Sequence, residues 1–417
     1  MTRLLLASLF FVSFSLQAIE LANPLTLGEA LNLAKQQSLD EQQQALTIKL
    51  DQVEVQSYQD LYKPSASIDL QLARRDSENS GTNNSHAFLK VHQVLFDQNT
   101  SIKQATAEGD LSTSKLRLKA LEDQKILQIM RAFFDVVLAD MRYETILQRL
   151  AISAIREGRV RDDYEQQSAS EVTLLEKQTQ TQLDVSKRIE AESQQISTRA
   201  KLAQLLNVAY ENRPDEIVKP NFKALVQQVP QEFEVWQEKV AKSNPKLNEL
   251  SLELANLKQV LNQEKNNHEI LVVSNARLGE QAYQREKNGN WRVGLNLTMP
   301  LGDSSTQKKK IAQLLLKIKQ KQLSIEQLKH TLNQEALALF LKLKTLKQAH
   351  KALVTELDYR DLYLELARAN YEMQIKSDIG YAMTNLTDTE WKLAKNEFDY
   401  VVTLTKLKQL AGENYAL

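Results

Sequence analysis

The sequence predicts a mainly α-helical fold with a smaller β part, and three observations support this prediction. First, only 10 glycines and 7 prolines occur in 417 residues, well below the usual frequencies of about 7% and 5%. Second, aliphatic residues recur every seven positions in the last third of the chain, as in long supercoiled helices. Third, four short stretches alternate between apolar and polar residues, as half-buried strands do.

The composition excludes several classes of protein. The 53 basic and 53 acidic residues give zero net charge, so no nucleic-acid partner is expected. The chain has no cysteine, which excludes disulfides and thiolate chemistry. No nucleophile elbow, phosphate-binding loop or dinucleotide fingerprint is present, and the five histidines lack metal-ligand spacing. We therefore expect no catalytic residues, no cofactor and no metal site, and we expect every histidine except His92 to be solvated.

Residues 1–18 are predicted to be a secretory signal peptide. Arg3 supplies the positive flank, an apolar run follows it, and Ala18 is a suitable cleavage point. The apolar run is too short for a transmembrane helix, which needs about 20 apolar residues. We therefore expect the chain to be exported.

Two structural repeats are predicted, residues 19–208 and 233–417, joined by a linker or small peripheral segment, 209–232. Each repeat has the order helix, β-hairpin, long helix, return helix. Asp97 and Asp303 end matching junction segments 206 positions apart, and Ser170-Glu171-Val172 matches Ser377-Asp378-Ile379 at 207. Nearly constant offsets between distant markers indicate a tandem duplication.

The helices of each repeat follow from their periodicity. Ile311, Ile318, Ile325, Leu332, Leu339, Leu346 and Leu353 recur at heptad spacing without a miss. Such a repeat is typical of a supercoiled helix, and one of this span would be roughly 100 Å long. The predicted helices are residues 27–61, 99–159, 170–206, 233–266, 304–374 and 381–410.

Two β-hairpins are predicted, over residues 64–97 and 269–303, with polar connectors at 76–85 and 280–290. In "NWRVGLNLTMPLGD" (290–303) the apolar and polar side chains fall on opposite faces. Each strand has the length of a tilted strand that crosses a bilayer, so the apolar faces are predicted to contact lipid. The predicted lipid-facing residues are Ile68, Leu70, Leu72, Leu89, Val91, Trp291, Val293, Leu295 and Leu297.

Closure of these strands into a barrel requires several copies of the chain. Four strands cannot close by themselves, and an open sheet edge is not tolerated in hydrocarbon. Two copies would give an eight-stranded barrel filled by side chains, whereas three give twelve strands and leave a lumen. The faces opposite the apolar ones carry Lys90, His92, Arg277 and Arg292, which suit water. A homotrimer is therefore expected; for any one strand alone, the alternative is an ordinary half-buried strand of a periplasmic domain.

The strand-to-helix junctions carry a family resemblance. "VLFD" (94–97) and "PLGD" (300–303) provide the junction residues Phe96, Asp97, Pro300 and Asp303. The segments "SEVTLLEKQTQTQL" (170–183), "SDIGYAMTNLTDTEWKLAKNEFDY" (377–400) and "KLKQLAG" (406–412) follow in order. Through these segments the chain resembles the outer-membrane factors of the TolC family over nearly its whole mature length. It departs slightly from the family pattern, with Gly302 in place of the usual aromatic and no proline in "VLFD".

The resemblance implies a homotrimer with a twelve-stranded outer-membrane barrel and a helical tube in the periplasm. It implies a passive exit duct of a tripartite efflux pump or a type I secretion system. The expected partners are a periplasmic adaptor (membrane fusion) protein and an inner-membrane transporter of the ABC, RND or MFS type.

The resemblance also implies a periplasmic constriction with acidic residues. The match falls on Asp378 and, more loosely, on Glu171; the next expected acidic position is Tyr381, so the acidic ring would be sparse. Three carboxylates around one axis would repel each other and favour protonation or bound cations. The alternative is that both residues are ordinary solvated residues near a turn.

Two other classes of protein share some of these features. A periplasmic adaptor also has a signal peptide and coiled-coil helices, but it needs glycine-rich β modules, and this chain has few glycines. A coiled-coil structural protein without a pore is the second alternative. The apolar strand faces favour the duct over both.

Overall fold

A computed structural model describes residues 22–33, 38–77, 80–83, 85–228, 231–283, 286–300, 305–373 and 378–413. The predicted signal peptide (1–18) and Asp303 lie outside the described residues. In chain order the elements are α1 (Leu27–Leu33), α2 (Leu39–Asp60), β1 (Ser65–Gln71), β2 (Arg74–Ser77), β3 (Ser80–Asn83), β4 (His86–Asp97), α3 (Gln98–Glu165), α4 (Glu171–Leu205), α5 (Lys223–Gln227), α6 (Phe233–Ser243), α7 (Pro245–Lys265), β5 (Leu271–Tyr283), β6 (Glu286–Thr298), α8 (Ser305–Glu372) and α9 (Ile379–Leu410). The prediction of a mainly helical fold is confirmed.

The two longest helices have the same length. Helices α3 and α8 each contain 68 residues. The seven heptad positions of α8 are all buried or half-buried, with Ile318 and Leu332 the most deeply buried. The seven-residue period therefore marks the covered side of the helix.

Two predicted helices are divided in the structure. The segment 27–61 contains α1 and α2, with residues 34–37 outside the described part. The segment 233–266 contains α6 and α7, which meet at Asn244. The Asn244 side chain accepts hydrogen bonds from the backbone N–H groups of Lys246 and Leu247, at 3.1 and 3.0 Å. Pro245 is the first residue of α7, where its missing N–H costs nothing.

The predicted hairpin connectors contain strand rather than only turn. Strands β2 and β3 pair within 76–85 and just before it, and β5 and β6 extend through most of 280–290 to pair as far as Tyr283 and Glu286. At its other end β6 finishes at Thr298, not at residue 303. Polar composition does not end these strands, because antiparallel pairing satisfies the backbone groups whatever the side chains.

The chain divides into two units that each draw on both predicted repeats. The first unit comprises Met1–Ser38, Gln124–Pro230 and Leu341–Lys406. The second comprises Leu39–Asp123, Gln231–Phe340 and Leu407–Leu417. The predicted repeats run consecutively along the chain, whereas these units interleave, because each long helix contributes to both.

The first unit contains an aromatic core. The rings of Phe134 and Phe398 stack with centroids 4.4 Å apart, and Phe222 meets Phe134 edge-on at 5.7 Å. The fully or almost fully buried residues around them are Leu25, Ala30, Ile129, Met130, Ala132, Phe133, Val136, Val137, Leu202, Leu206, Ala394 and Val401. Burial of this apolar surface holds the helices of the unit together.

The segment predicted as a linker, 209–232, takes part in this core. Phe222 packs against it and Val226 is 1% exposed. The segment also forms a parallel bridge between Leu25 and Ile217, with backbone hydrogen bonds of 2.9 Å on both sides of Leu25. Pro214 and Pro220 interrupt helix formation but leave the apolar side chains of the segment available for packing.

Candidate functional site

The second unit contains a four-stranded antiparallel sheet in the order β1-β4-β5-β6. The register places Ile68, Leu89, Leu278 and Trp291 side by side in one row across the strands. Within the described residues β1 and β6 are the edge strands, each paired on one side only. An unpaired edge is available for pairing with another chain.

One face of the sheet is apolar and exposed. All nine residues predicted to face lipid are exposed, from 36% for Val91 to 96% for Leu72, which lies just past the end of β1. Leu278 on β5 belongs to the same surface and is 61% exposed. Monomeric soluble proteins seldom expose an apolar surface of this extent without a partner.

The other face of the sheet is polar and internally bonded. The Asp69 carboxylate accepts hydrogen bonds from Lys90 and lies 3.3 Å from His86 Nε2. His92 Nδ1 lies 2.9 Å from the Asn275 side-chain oxygen. These polar groups suit a surface that faces water.

A bulge in β4 shapes the first strand-to-helix junction. The register with β5 shifts between Val94 and Phe96, so Phe96 pairs with Val272 and joins the apolar face. Asp97 then caps α3: it accepts hydrogen bonds from the Asn99 backbone N–H at 3.0 Å and the Thr100 hydroxyl at 2.6 Å. The strand therefore leads directly into the helix, as "VLFD" suggested.

The second junction is described only in part. Thr298 ends β6, and Pro300 follows as an exposed residue outside the strand. Residues 301–304, including the predicted cap Asp303, lie outside the described part, and α8 is described from Ser305.

The predicted acidic positions lie at two helix starts in the first unit. Ser170 caps α4, accepting a hydrogen bond from the Thr173 backbone N–H at 3.1 Å. Asp378 precedes α9 and accepts one from the Tyr381 backbone N–H at 2.9 Å. Ser170 and Asp378 therefore occupy corresponding cap positions. Glu171 is an exposed residue in the first turn of α4, so by position in its helix it corresponds to Ile379 rather than to Asp378.

Asp378 is also engaged by a cation from α3. Both of its carboxylate oxygens accept hydrogen bonds from Arg156 Nη2, at 2.6 and 2.5 Å. Both side chains are about half exposed, so the pair is in contact with solvent. A cavity of about 400 Å³ lies beside it, and its charged lining residues are Arg149, Arg156, Glu176, Lys177 and Asp184.

Sequence reasoning missed two charged networks within the first unit. His350, expected to be solvated, is 5% exposed and lies 3.2 Å from the Glu397 carboxylate. Asp388 accepts hydrogen bonds from Arg142 and Lys392, each at 2.9 Å. Burial acts to raise the pKa of Asp388, but its bonds and charge interactions with these two cations outweigh that effect and leave the pKa below its usual value. The heptad period alone does not show which polar side chains the helices bury.

The described residues contain neither a metal cluster nor a spanning helix. No group of three or more His, Asp or Glu side chains in this part of the chain could hold a metal ion. No helix there is both long enough and apolar enough to cross a bilayer.

Comparisons with known proteins identify the fold. Neither the family models nor the curated proteins provide a match to the chain. Among solved structures, it is similar to the CmeC outer membrane channel of Campylobacter jejuni, with 11% identity, a TM-score of 0.75, and coverage of 93% of this chain and 85% of that one. It is also similar to CusC, a protein that forms a transmembrane channel, with 12% identity, a TM-score of 0.74, and coverage of 93% and 92%.

A third similar structure is the open state of the MtrE outer membrane channel of Neisseria gonorrhoeae. The identity is 13%, the TM-score is 0.72, and the coverage is 93% of this chain and 89% of that one. The chain therefore has the fold of outer-membrane channels over nearly its whole length. The resemblance to the TolC family is therefore confirmed for the fold of the single chain, which is mainly helical and similar to these channels.

Proposed function

We propose that this chain is one subunit of an outer-membrane exit duct, a member of the TolC family. Three copies place their four-stranded sheets edge to edge as a twelve-stranded barrel in the outer membrane, and their helices form a tube in the periplasm. Substrate moves passively through this tube to the exterior. The duct has no enzymatic activity.

The exposed apolar face of the sheet is the observation that supports this proposal most strongly. Water contact at Trp291, Val293, Leu295 and Leu297, each 69% exposed or more, would be unfavourable, whereas lipid contact would be favourable. Pairing of β6 with β1 of a neighbouring subunit would satisfy both open edges, which hydrocarbon requires. Neither a soluble adaptor nor a coiled-coil structural protein requires an exposed apolar sheet face.

Two aromatic residues mark different levels of the apolar face. Phe96 and Leu297 lie near the helix end of the strands, and Trp291 lies six residues from Leu297 along β6. At about 3.3 Å per residue this separation is roughly 20 Å along the strand, which a strand tilt of about 35–45° reduces to roughly 15 Å of height. Transmembrane barrels have an apolar band of about 25 Å between two aromatic girdles. Phe96 is suitably placed for the girdle at the helix end, and Trp291 for the apolar band.

The partners follow from the same fold. The solved channels with this fold lie in the outer membrane, and such a duct needs an energy source elsewhere. We propose a periplasmic adaptor that joins the tube to an inner-membrane transporter of the ABC, RND or MFS type. Both an efflux pump and a type I secretion system are consistent with the duct.

A pair of neighbouring substitutions tests the membrane assignment. Leu295→Arg puts a charge on the apolar face, and Asn296→Arg puts the same charge on the polar face. An arginine facing lipid costs about 2–4 kcal/mol at the bilayer midplane, whereas one facing the lumen costs little. We expect Leu295→Arg to deplete the heat-resistant oligomer from outer-membrane fractions and Asn296→Arg to leave it in place.

The alternatives predict a different result. A soluble adaptor or structural protein would be released by osmotic shock, and both variants would be recovered there in equal amounts. That outcome would overturn the duct proposal. Because the two positions are adjacent, differences in expression or export cannot mimic a selective effect.

We also propose that Asp378 and, more loosely, Glu171 contribute to the periplasmic constriction. In a trimer, three Asp378 carboxylates would surround one axis, each partly neutralised by its own Arg156. Asp378→Ala should then raise single-channel conductance or weaken block by divalent cations in a planar bilayer. Arg156→Gln should strengthen the block, because it leaves the carboxylate without its partner. Unchanged currents in both variants would remove this role.

A further inference from the structure

Three basic side chains lie in one row on the polar face of the sheet. The register pairs Lys90 with Arg277 and Arg277 with Arg292, on three successive strands. Neighbouring strands are about 4.8 Å apart, so the three side chains project from a strip roughly 10 Å wide. We call Lys90, Arg277 and Arg292 the basic row. Like charges directly opposite each other destabilise a sheet, so this arrangement needs an explanation.

The carboxylates on the same face neutralise only one member of the basic row, Lys90. Asp69 is bonded to Lys90 and is shared with His86. Asp97, at the helix end of β4, caps α3. Arg277 and Arg292 therefore have no carboxylate partner among the described residues.

Arg277 has the features of a side chain held ready for a ligand. Its guanidinium carbon lies 4.9 Å from the ring centroid of Phe88, which fixes the planar group by a cation–π contact. Its Nε is buried and lacks a hydrogen-bond partner among the described residues. A buried donor without an acceptor is costly, so the charge of Arg277 is the least compensated in the basic row.

We infer that the basic row forms a belt that selects anions in the lumen of the barrel, with Arg277 as the contact point. This inference rests on the proposed duct, because the polar face lines a lumen only in the closed barrel. Each subunit would contribute two arginines without a carboxylate partner, beside the paired Lys90, at the same level. Rings of lysine and arginine are the usual means by which pores favour anions, and the low-dielectric wall strengthens their field. The substrates of the duct are then predominantly anionic.

Ion selectivity of the full-length protein in planar bilayers tests this inference. The probes are chloride and potassium, under a tenfold KCl gradient with a dilute side of about 0.01 M, where screening is weak. We expect the wild-type channel to favour chloride. The double variant Arg277→Gln/Arg292→Gln should lower the chloride-to-potassium permeability ratio by about fivefold, the Boltzmann factor for one unit charge at contact distance in water.

Two controls separate charge from structure. Arg277→Lys/Arg292→Lys keeps the charge and should keep the selectivity. Lys49→Gln removes an exposed cation from α2, outside the sheet, and should leave the ratio unchanged. The wild-type preference should also fade at about 1 M salt, where the Debye length falls to about 3 Å. This last measurement uses only the wild-type protein, so it does not depend on whether a variant folds.

The outcomes distinguish this inference from the proposed function. A conducting wild-type channel that favours potassium, or a double variant with unchanged selectivity, would overturn the anion belt and leave the duct intact. A protein that inserts into membranes but never conducts would overturn the duct itself.

Discussion

Helices α3 and α8 have equal lengths and matching positions in the two halves of the chain, yet they are buried to different degrees. Met130 and Phe134 of α3 are at most 2% exposed. Their counterparts 207 residues later, Leu337 and Leu341 of α8, are 40% and 51% exposed. The two helices are therefore alike in length but differ in what covers their surfaces.

The difference lies in the neighbours of each helix. Phe134 packs between Phe222 and Phe398 in the aromatic core of the first unit. In the described residues, Leu341 has no comparable aromatic cluster over it. In the proposed trimer, a neighbouring subunit would cover the exposed side of α8. One helix thus stabilises the subunit, and the other has a surface suited to assembly.

The largest expected effect comes from truncating the buried member of this pair. Phe134→Ala should lower the free energy of unfolding by about 3–5 kcal/mol, because it removes a fully buried ring and leaves a cavity. The loss of helical circular dichroism in urea measures it. Leu341→Ala is the matched control and should cost less than about 1 kcal/mol in the dissociated subunit.

The same two variants also test the assembly surface. Leu341→Ala should weaken the oligomer on native gels more than it weakens the subunit. If both variants destabilise the subunit equally, the comparison between the two helices fails.

An intermediate effect is expected from two aspartates of the first unit with opposite pKa shifts. The pKa of Asp388 is lowered, so its stabilising contribution is complete above its usual pKa of 3.8 and is lost as the pH falls through the lowered value. Asp388→Asn should cost about 1.5–3 kcal/mol at pH 7, the usual range for hydrogen bonds to charged groups. The cost should shrink below about pH 4.

Asp135 on α3 should behave in the opposite way. Partial desolvation of its half-exposed carboxylate raises its pKa, with Lys201 at 3.7 Å only partly compensating. The folded state then binds this proton more tightly, so stability falls as the pH rises through the raised pKa. Asp135→Asn should therefore stabilise the protein slightly at pH 7. Urea unfolding at several pH values checks both signs, and two destabilised variants at pH 7 would contradict the assignment.

The smallest expected effect concerns two glycines near the helical turns. A Cβ at Gly158 of α3 would meet nothing within 4 Å, whereas one at Gly380 of α9 would lie 2.8 Å from Ile152 Cγ2. Gly158→Ala should stabilise by up to about 1 kcal/mol through helix propensity. Gly380→Ala should not show this stabilisation, because the new Cβ would be too close to Ile152. In an Ile152→Ala background, where that contact is absent, Gly380→Ala should recover part of the stabilisation. Thermal unfolding compares them, and equal gains at both glycines would show that the turn has room.

Several features of the fold could be predicted from the sequence because they depend on local pattern. The heptad positions of α8 predicted a long helix, and alternation in β6 predicted a strand with one apolar face. The division of the predicted helix 233–266 at Pro245 was not predicted. It depends on the cap that Asn244 provides, and hydrophobic periodicity does not detect caps.

The acidic site was predictable in part. Asp378 stood out beside a helix start, but its partner Arg156 lies 222 positions earlier on another helix. Local spacing does not predict such a pair. The sequence placed Lys90, Arg277 and Arg292 on the polar faces of their strands but did not align them in one row, because the row depends on the register of three strands.

The sequence by itself determined where helices and strands form and which side of each is apolar, because propensity and side-chain period act over a few residues. Tertiary structure alone decided which apolar sides are covered, which charges meet, and that the segment 209–232 packs into the core. Those outcomes depend on contacts between residues far apart in the chain, and the local pattern of residue types does not predict such contacts.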